Sequence, residues 1–190
     1  MVEQVIWGIG NIAGDSPTTR DSVLASGALE RIALVLDQAP SGTSFMRNAS
    51  WALSNLCRGR PQPNYKLVRR AIPSLIKVLI ENDKEDIITD ICWGLSYLSD
   101  GVKERISDML DIRLLQKLIN LMKHENVAIA IPCLRTIGNI VTGDDNETQL
   151  AVDANLIPTI AEILSHPKKT VRKESCWVLS NITAGTPEQL

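Results

Sequence analysis

The sequence predicts an all-α fold of stacked helical repeats, each about 42 residues long. Three observations carry that expectation. An aromatic residue followed four positions later by a polar side chain returns at nearly constant spacing. The apolar residues between these motifs recur every three to four positions, as a helix requires, and strand-like alternation is missing. Turn and helix-start residues punctuate successive units at equivalent places.

The motif segments are Trp7-Gly-Ile-Gly-Asn11, Trp51-Ala-Leu-Ser-Asn55, Trp93-Gly-Leu-Ser-Tyr97, Arg135-Thr-Ile-Gly-Asn139 and Trp177-Val-Leu-Ser-Asn181, separated by 44 residues and then by 42 three times. Units of roughly 40 to 47 residues are of HEAT or armadillo size. The expected class is therefore all-α, an armadillo-repeat right-handed superhelical solenoid in which equivalent helices form parallel rows. The chain reads as one domain over 1–190, with a partial repeat at 1–15 and repeats over about 16–58, 59–100, 101–142 and 143–185.

Each unit contains a Gly-containing turn, a short helical stretch, an apolar-periodic helix, a charged connector and the helix that carries the motif. The second unit shows Ser26-Gly27, then Leu29 to Leu36, then Phe45 to Leu56. Helices are expected next at Ile72 to Ile80 and Asp86 to Leu98, at Leu114 to Met122 and Val127 to Val141, and at Ile157 to Leu164 and Thr170 to Thr183. Pro73 and Pro158 stand two periods apart at helix starts, where a missing N–H costs nothing. His124 and His166 fall 42 residues apart in equivalent connectors, which repeat geometry explains better than catalysis. Ile9, Leu53, Leu95, Ile137 and Leu179, each two residues after the aromatic position, are the expected core of the row.

Composition narrows the function. Of 190 residues, 44% are hydrophobic and 22% charged, enough to bury a core. Twenty Lys plus Arg against 22 Asp plus Glu leave a net charge of −2, unlike the basic footprint of a nucleic-acid binder, and favour a cationic partner. No apolar run is long enough for a membrane span. Cys57, Cys92, Cys133 and Cys176 are too far apart for a Cys-x-x-Cys metal pair and read as buried free thiols. The Asp144-Asp145-Asn146-Glu147 run lacks EF-hand spacing and reads as a connector. With no phosphate loop, no metal-spaced cluster and two remote histidines, the chain is not expected to be an enzyme or to need a cofactor.

The repeated Trp and Asn are better suited to binding. Residues four apart share a helix face, and helices packed about 8–10 Å apart match two to three residues of an extended peptide at roughly 3.3–3.6 Å each. Asn can hold both a peptide N–H and a C=O. Neighbouring indoles form slots for an aliphatic stem that ends in a cation, which suits lysine. Asp15 lies eight residues after Trp7, and Asp90 and Glu174 each lie three before a Trp, so carboxylates accompany the row. Asp15 also stands where it can cap the following helix.

The segments Trp7-Gly-Ile-Gly-Asn-Ile-Ala-Gly-Asp15, Trp51-Ala-Leu-Ser-Asn-Leu-Cys-Arg58, Cys92-Trp-Gly-Leu-Ser-Tyr-Leu-Ser-Asp-Gly101, Gly138-Asn-Ile-Val-Thr-Gly143 and Trp177-Val-Leu-Ser-Asn-Ile-Thr-Ala-Gly185 resemble importin alpha, the nuclear import adaptor family. The resemblance covers essentially the whole chain and implies binding of lysine-rich nuclear localisation signals, with residence in cytoplasm and nucleus. It assigns Trp7, Asn11, Trp51 and Asn55 to the family's major site, with Asp15 pairing with the most demanding lysine. Gln4 and Asn48 add polar contacts, and Trp93, Asp90 and Tyr97 close the far end. Arg135, Asn139, Asp145, Thr148, Glu174, Trp177 and Asn181 fall in the minor site. Tyr97 in place of Asn, and Arg135 in place of Trp, match the irregular middle that separates the two sites in the family.

The resemblance also implies a fragment of a longer solenoid. The segment that binds importin beta would precede Met1, and the rest of the minor site would follow Leu190. Self-association through uncapped end repeats is a further expectation. A catenin-like armadillo scaffold for acidic tails is the alternative, but it requires a basic inner row, and only Arg135 fills the aromatic position with a cation.

Overall fold

The computed structural model describes residues 1–101 and 103–185, with no strand among them. The chain divides into two compact units, Met1–Leu98 and Ser99–Leu190. The first holds α1 (Val2–Asp15), α2 (Pro17–Ala25), α3 (Ala28–Gln38), α4 (Ser44–Cys57), α5 (Tyr65–Val68), a 3₁₀ turn (Arg69–Ala71), α6 (Ile72–Glu81) and α7 (Glu85–Ser99), whose last residue belongs to the next unit. The second holds α8 (Lys103–Ser107), α9 (Ile112–Leu121), α10 (Val127–Ile140), α11 (Asp145–Asp153), α12 (Leu156–Ile163) and α13 (Lys169–Ile182).

Local chemistry sets these boundaries. Ser16 caps α2: its Oγ accepts the Thr19 N–H at 3.2 Å, its own N–H donates to Thr19 Oγ1 at 3.1 Å, and Pro17 follows at the first helical position. Asp144 and Glu147 make the same reciprocal cap on α11, at 3.1 and 2.8 Å, so this acidic run works as a helix start. Gly27 at φ 75° joins α2 to α3, and Asn155 at φ 74° joins α11 to α12. Both take the left-handed turn that Gly adopts freely and Asn tolerates. The two histidines also act alike. His124 Nδ1 accepts the Asn126 N–H at 3.0 Å, and His166 Nδ1 accepts the Lys168 N–H at 3.1 Å, fixing the turn before α10 and α13.

Long aliphatic side chains fill the interior of each unit. Leu36, Leu53, Leu56, Leu75, Leu79, Ile91 and Leu95 are wholly buried in the first, and Leu114, Leu115, Leu118, Ile129, Leu134 and Ile137 in the second. Each contributes about 1.5–3 kcal/mol relative to exposure. Two expectations are corrected here. Ile9 and Leu179 are only half-buried, and Cys176 is exposed while Cys57, Cys92 and Cys133 are buried. All three exceptions lie on α1 or α13, the first and last described helices, and a repeat helix buries each flank only against a neighbour.

Candidate peptide-binding site

In the first unit the motif side chains stand on α1, α4 and α7. α1 packs along α4, and the Trp51 indole lies directly over Gly10. Trp7 is 56% exposed, Trp51 and Trp93 are half-buried, and the three rings are thus open to solvent to different degrees. Asn11 is exposed and donates from Nδ2 to its own helix, at Trp7 O, 3.0 Å. Asn55 behaves differently. It is 5% exposed, and its Nδ2 donates across to Gly10 O at 3.1 Å, tying α4 to α1. One amide hydrogen is thereby committed within the protein. Tyr97, which replaces the amide on α7, stacks on Trp93 with centroids 5.8 Å apart and planes 28° apart.

Polar groups surround these rings. Gln4, Trp7 and Asn48 line a recess of about 240 Å³ together with Glu3, whose carboxylate accepts from Asn48 Nδ2 at 3.1 Å. Asp15 ends α1 on the surface and lines a separate recess of about 200 Å³ with Arg20 and Arg58, at the other end of the helix. Because Ser16 supplies the cap of α2, Asp15 does not perform the capping role open to it from sequence. Asp90 is partly buried on α7. Burial, and then the nearby Asp86 charge, push its carboxyl up to about 6, while Asp86 itself pairs with Arg47 of α4 at 2.5 Å.

The second unit brings Arg135 and Asn139 of α10 beside Glu174, Trp177 and Asn181 of α13. Arg135 Nη2 lies 3.4 Å from the Glu174 carboxylate. Asn139 Nδ2 donates to Ser99 Oγ at 3.0 Å, and Asn181 Nδ2 donates to Gly138 O at 3.2 Å, repeating the Asn55 arrangement. Trp177 is 36% exposed and lies over Gly138. Asp145 is exposed at the start of α11. Thr148, three residues on, is 4% exposed, and its Oγ1 lies 3.5 Å from Val141 O.

Residues 144–184 match the Armadillo/beta-catenin-like repeat family. Among characterised proteins, importin subunit alpha-1a of Oryza sativa subsp. japonica is 46% identical over 189 residues, covering 99% of this chain and 36% of the relative. Importin subunit alpha-1b of the same organism is 46% identical over 176 residues, covering 92% of this chain and 33% of the relative. This is an importin-alpha-type armadillo chain. It spans about a third of the length of these relatives. A solved structure, a designed armadillo repeat protein in complex with the peptide (KR)4, superposes with a TM-score of 0.86 at 21% identity. It covers 99% of this chain and 78% of its own, a likeness of fold.

The importin-alpha-like motif residues therefore lie on α1, α4 and α7 in one unit and on α10 and α13 in the other. Several neighbours escaped the sequence reading. Glu3 lies four residues before Trp7, on the same helix face, so spacing alone was enough to find it. Arg58 is distant from Asp15 in sequence but lines the same recess, and its Nη2 donates to Gly14 O at 3.2 Å. No local pattern announces that contact.

Proposed function

We propose that this chain is a nuclear import adaptor segment that binds extended, lysine-rich localisation signals, and that it is a binding protein rather than an enzyme. The observation that carries the reading is the repeated pairing of an indole with an amide four residues on, exposed as Trp7 and Asn11 on α1 and more deeply set as Trp51 and Asn55 on α4, flanked by Glu3 and Asp15, in a chain 46% identical to importin alpha subunits. The ligand backbone runs over the Asn11 and Asn55 amides, and lysine stems enter the slots beside Trp7, Trp51 and Trp93. Their ammonium groups meet ring faces and carboxylates, with Asp15 pairing with one lysine directly. Gln4 and Asn48 add polar contacts, while Tyr97 and Asp90 bound the far end. In the second unit Trp177, Asn181, Asn139 and Glu174 form a smaller site of the same kind, with Arg135 and Asp145 at its margins. Pairing of the whole protein with importin beta, and its passage between cytoplasm and nucleus, belong to the same proposal.

The test is a fluorescence-polarisation titration with a labelled lysine-rich peptide at fixed salt, comparing the wild type with Asp15→Lys and Trp51→Ala. Removing a cation–π wall or reversing the carboxylate charge is expected to weaken binding about tenfold or more, since 1.4 kcal/mol corresponds to a factor of ten. Saturable binding that neither substitution weakens would remove this groove from the account.

A further inference from the structure

Glycines within the motif helices do not behave alike. A Cβ built on Gly10 would fall 2.4 Å from a ring carbon of Trp51, and one built on Gly138 would fall 2.1 Å from the same ring carbon of Trp177. A Cβ on Gly94 would find only ordinary contacts at 3.7 Å or beyond, and on Gly8 nothing within 4 Å. The two crowded glycines share a register, three residues after the aromatic position, where the other motif helices carry Ser54, Ser96 and Ser180. At each crowded glycine the following motif helix contributes two contacts. Its indole lies on the bare backbone, and its Asn donates to the same residue's carbonyl, Asn55 to Gly10 O at 3.1 Å and Asn181 to Gly138 O at 3.2 Å. The arrangement recurs independently in the two units.

We propose that Gly10 and Gly138 are positioning residues for ligand binding: each seats the Trp of the next motif helix and orients the Asn that accompanies it, without touching the ligand. The inference rests on the peptide-binding reading above. A methyl group at either site cannot coexist with the ring, because contacts below 3.0 Å force a displacement and the indole is a rigid plate. The displaced ring no longer forms its slot wall. The carbonyl it uncovers no longer holds the amide in its place beside the ring. Serine at the equivalent positions shows that the row helix itself accepts a side chain there, so the demand for glycine comes from the indole laid over it.

The test uses Gly10→Ala and Gly138→Ala, with Gly94→Ala as a control, each alone and the first two paired with Trp51→Ala and Trp177→Ala respectively. The readouts are acrylamide quenching of tryptophan emission, urea unfolding, and titration with the (KR)4 peptide. The expected result is that Gly10→Ala changes indole accessibility and weakens binding about tenfold, as loss of one cation–π wall does, whereas Gly94→Ala changes neither. In the background of the matching Trp→Ala the glycine substitution is expected to have no further effect on binding and no destabilising effect, since Ala is the better helix former once the ring is gone. If Gly10→Ala or Gly138→Ala unfolds the chain, the paired Trp→Ala is expected to restore folding. Additive effects in the cycle, failure of Trp→Ala to restore a fold, or unchanged quenching and binding would each overturn the inference. If the wild type itself does not bind (KR)4, the peptide-binding reading fails, and the quenching and unfolding cycle still decides the seating of the indoles.

Discussion

Replacing Asn55 by Ala separates the two ways in which motif asparagines are held. Asn55 is 5% exposed and its Nδ2 donates 3.1 Å across to Gly10 O, joining α4 to α1 over 45 residues of sequence. Asn11 is exposed, and its amide reaches only Trp7 O of its own helix at 3.0 Å. A net contribution of about 0.5–1.5 kcal/mol for the interhelical hydrogen bond, with a small void where the carboxamide stood, predicts that Asn55→Ala costs about 1–2 kcal/mol. Asn11→Ala, lacking both terms, is expected to stay within about 0.5 kcal/mol of wild type. Alanine is the better helix former by a few tenths of a kcal/mol at both sites, so the difference between the variants is the cleaner quantity. Urea unfolding followed by far-ultraviolet circular dichroism measures it. Equal costs for the two variants would refute the interhelical role of Asn55.

Only Cys176 of the four thiols is exposed, so a thiol reagent is expected to label one cysteine quickly in the native protein and the other three only on unfolding. Rapid labelling of two or more would contradict the packing around Cys57, Cys92 and Cys133. Asp90 titrates near 6 because burial and the Asp86 charge disfavour its ionised form. With the folded value above the ordinary one, the stability this group provides is full below the ordinary value and is lost as pH rises through about 6. Asp90→Asn should therefore flatten the decline in stability between pH 4 and 7. Ionisation over the same interval adds a negative charge beside Trp93, so lysine-peptide affinity should rise from pH 5 to 7 in the wild type and rise less in Asp90→Asn. An unchanged pH profile in the variant would contradict this.

Much of the fold is legible because the repeat acts as its own alignment. Trp51, Trp93, Arg135 and Trp177 fix the spacing, and the helices found from apolar periodicity agree with α3, α4, α6, α7, α9, α10, α12 and α13 to within a few residues. What the repeat conceals is how one unit differs from the next. Cys92 and Cys176 occupy the same register, immediately before a Trp, yet one is buried and the other exposed, because burial depends on the neighbouring helix and not on the local pattern. Asn11, Asn55 and Asn181 are likewise identical in the motif, but only the latter two tie to a preceding glycine carbonyl. The close seating of Trp51 on Gly10 is written in sequence only as Gly instead of Ser, a signal with no meaning until the helices are packed.

The central claim is that the indoles of the motif helices form the surface met by a cationic extended peptide. The four tryptophan side chains give separate indole N–H resonances, so a ¹⁵N-correlation titration with the (KR)4 peptide reports on each position at once. The account predicts saturable shifts of the Trp7, Trp51 and Trp93 indoles, with Trp177 moving on its own, weaker curve, and no shifts with an alternating Glu–Asp peptide. Saturable binding of (KR)4 that leaves all four indole resonances in place would contradict it.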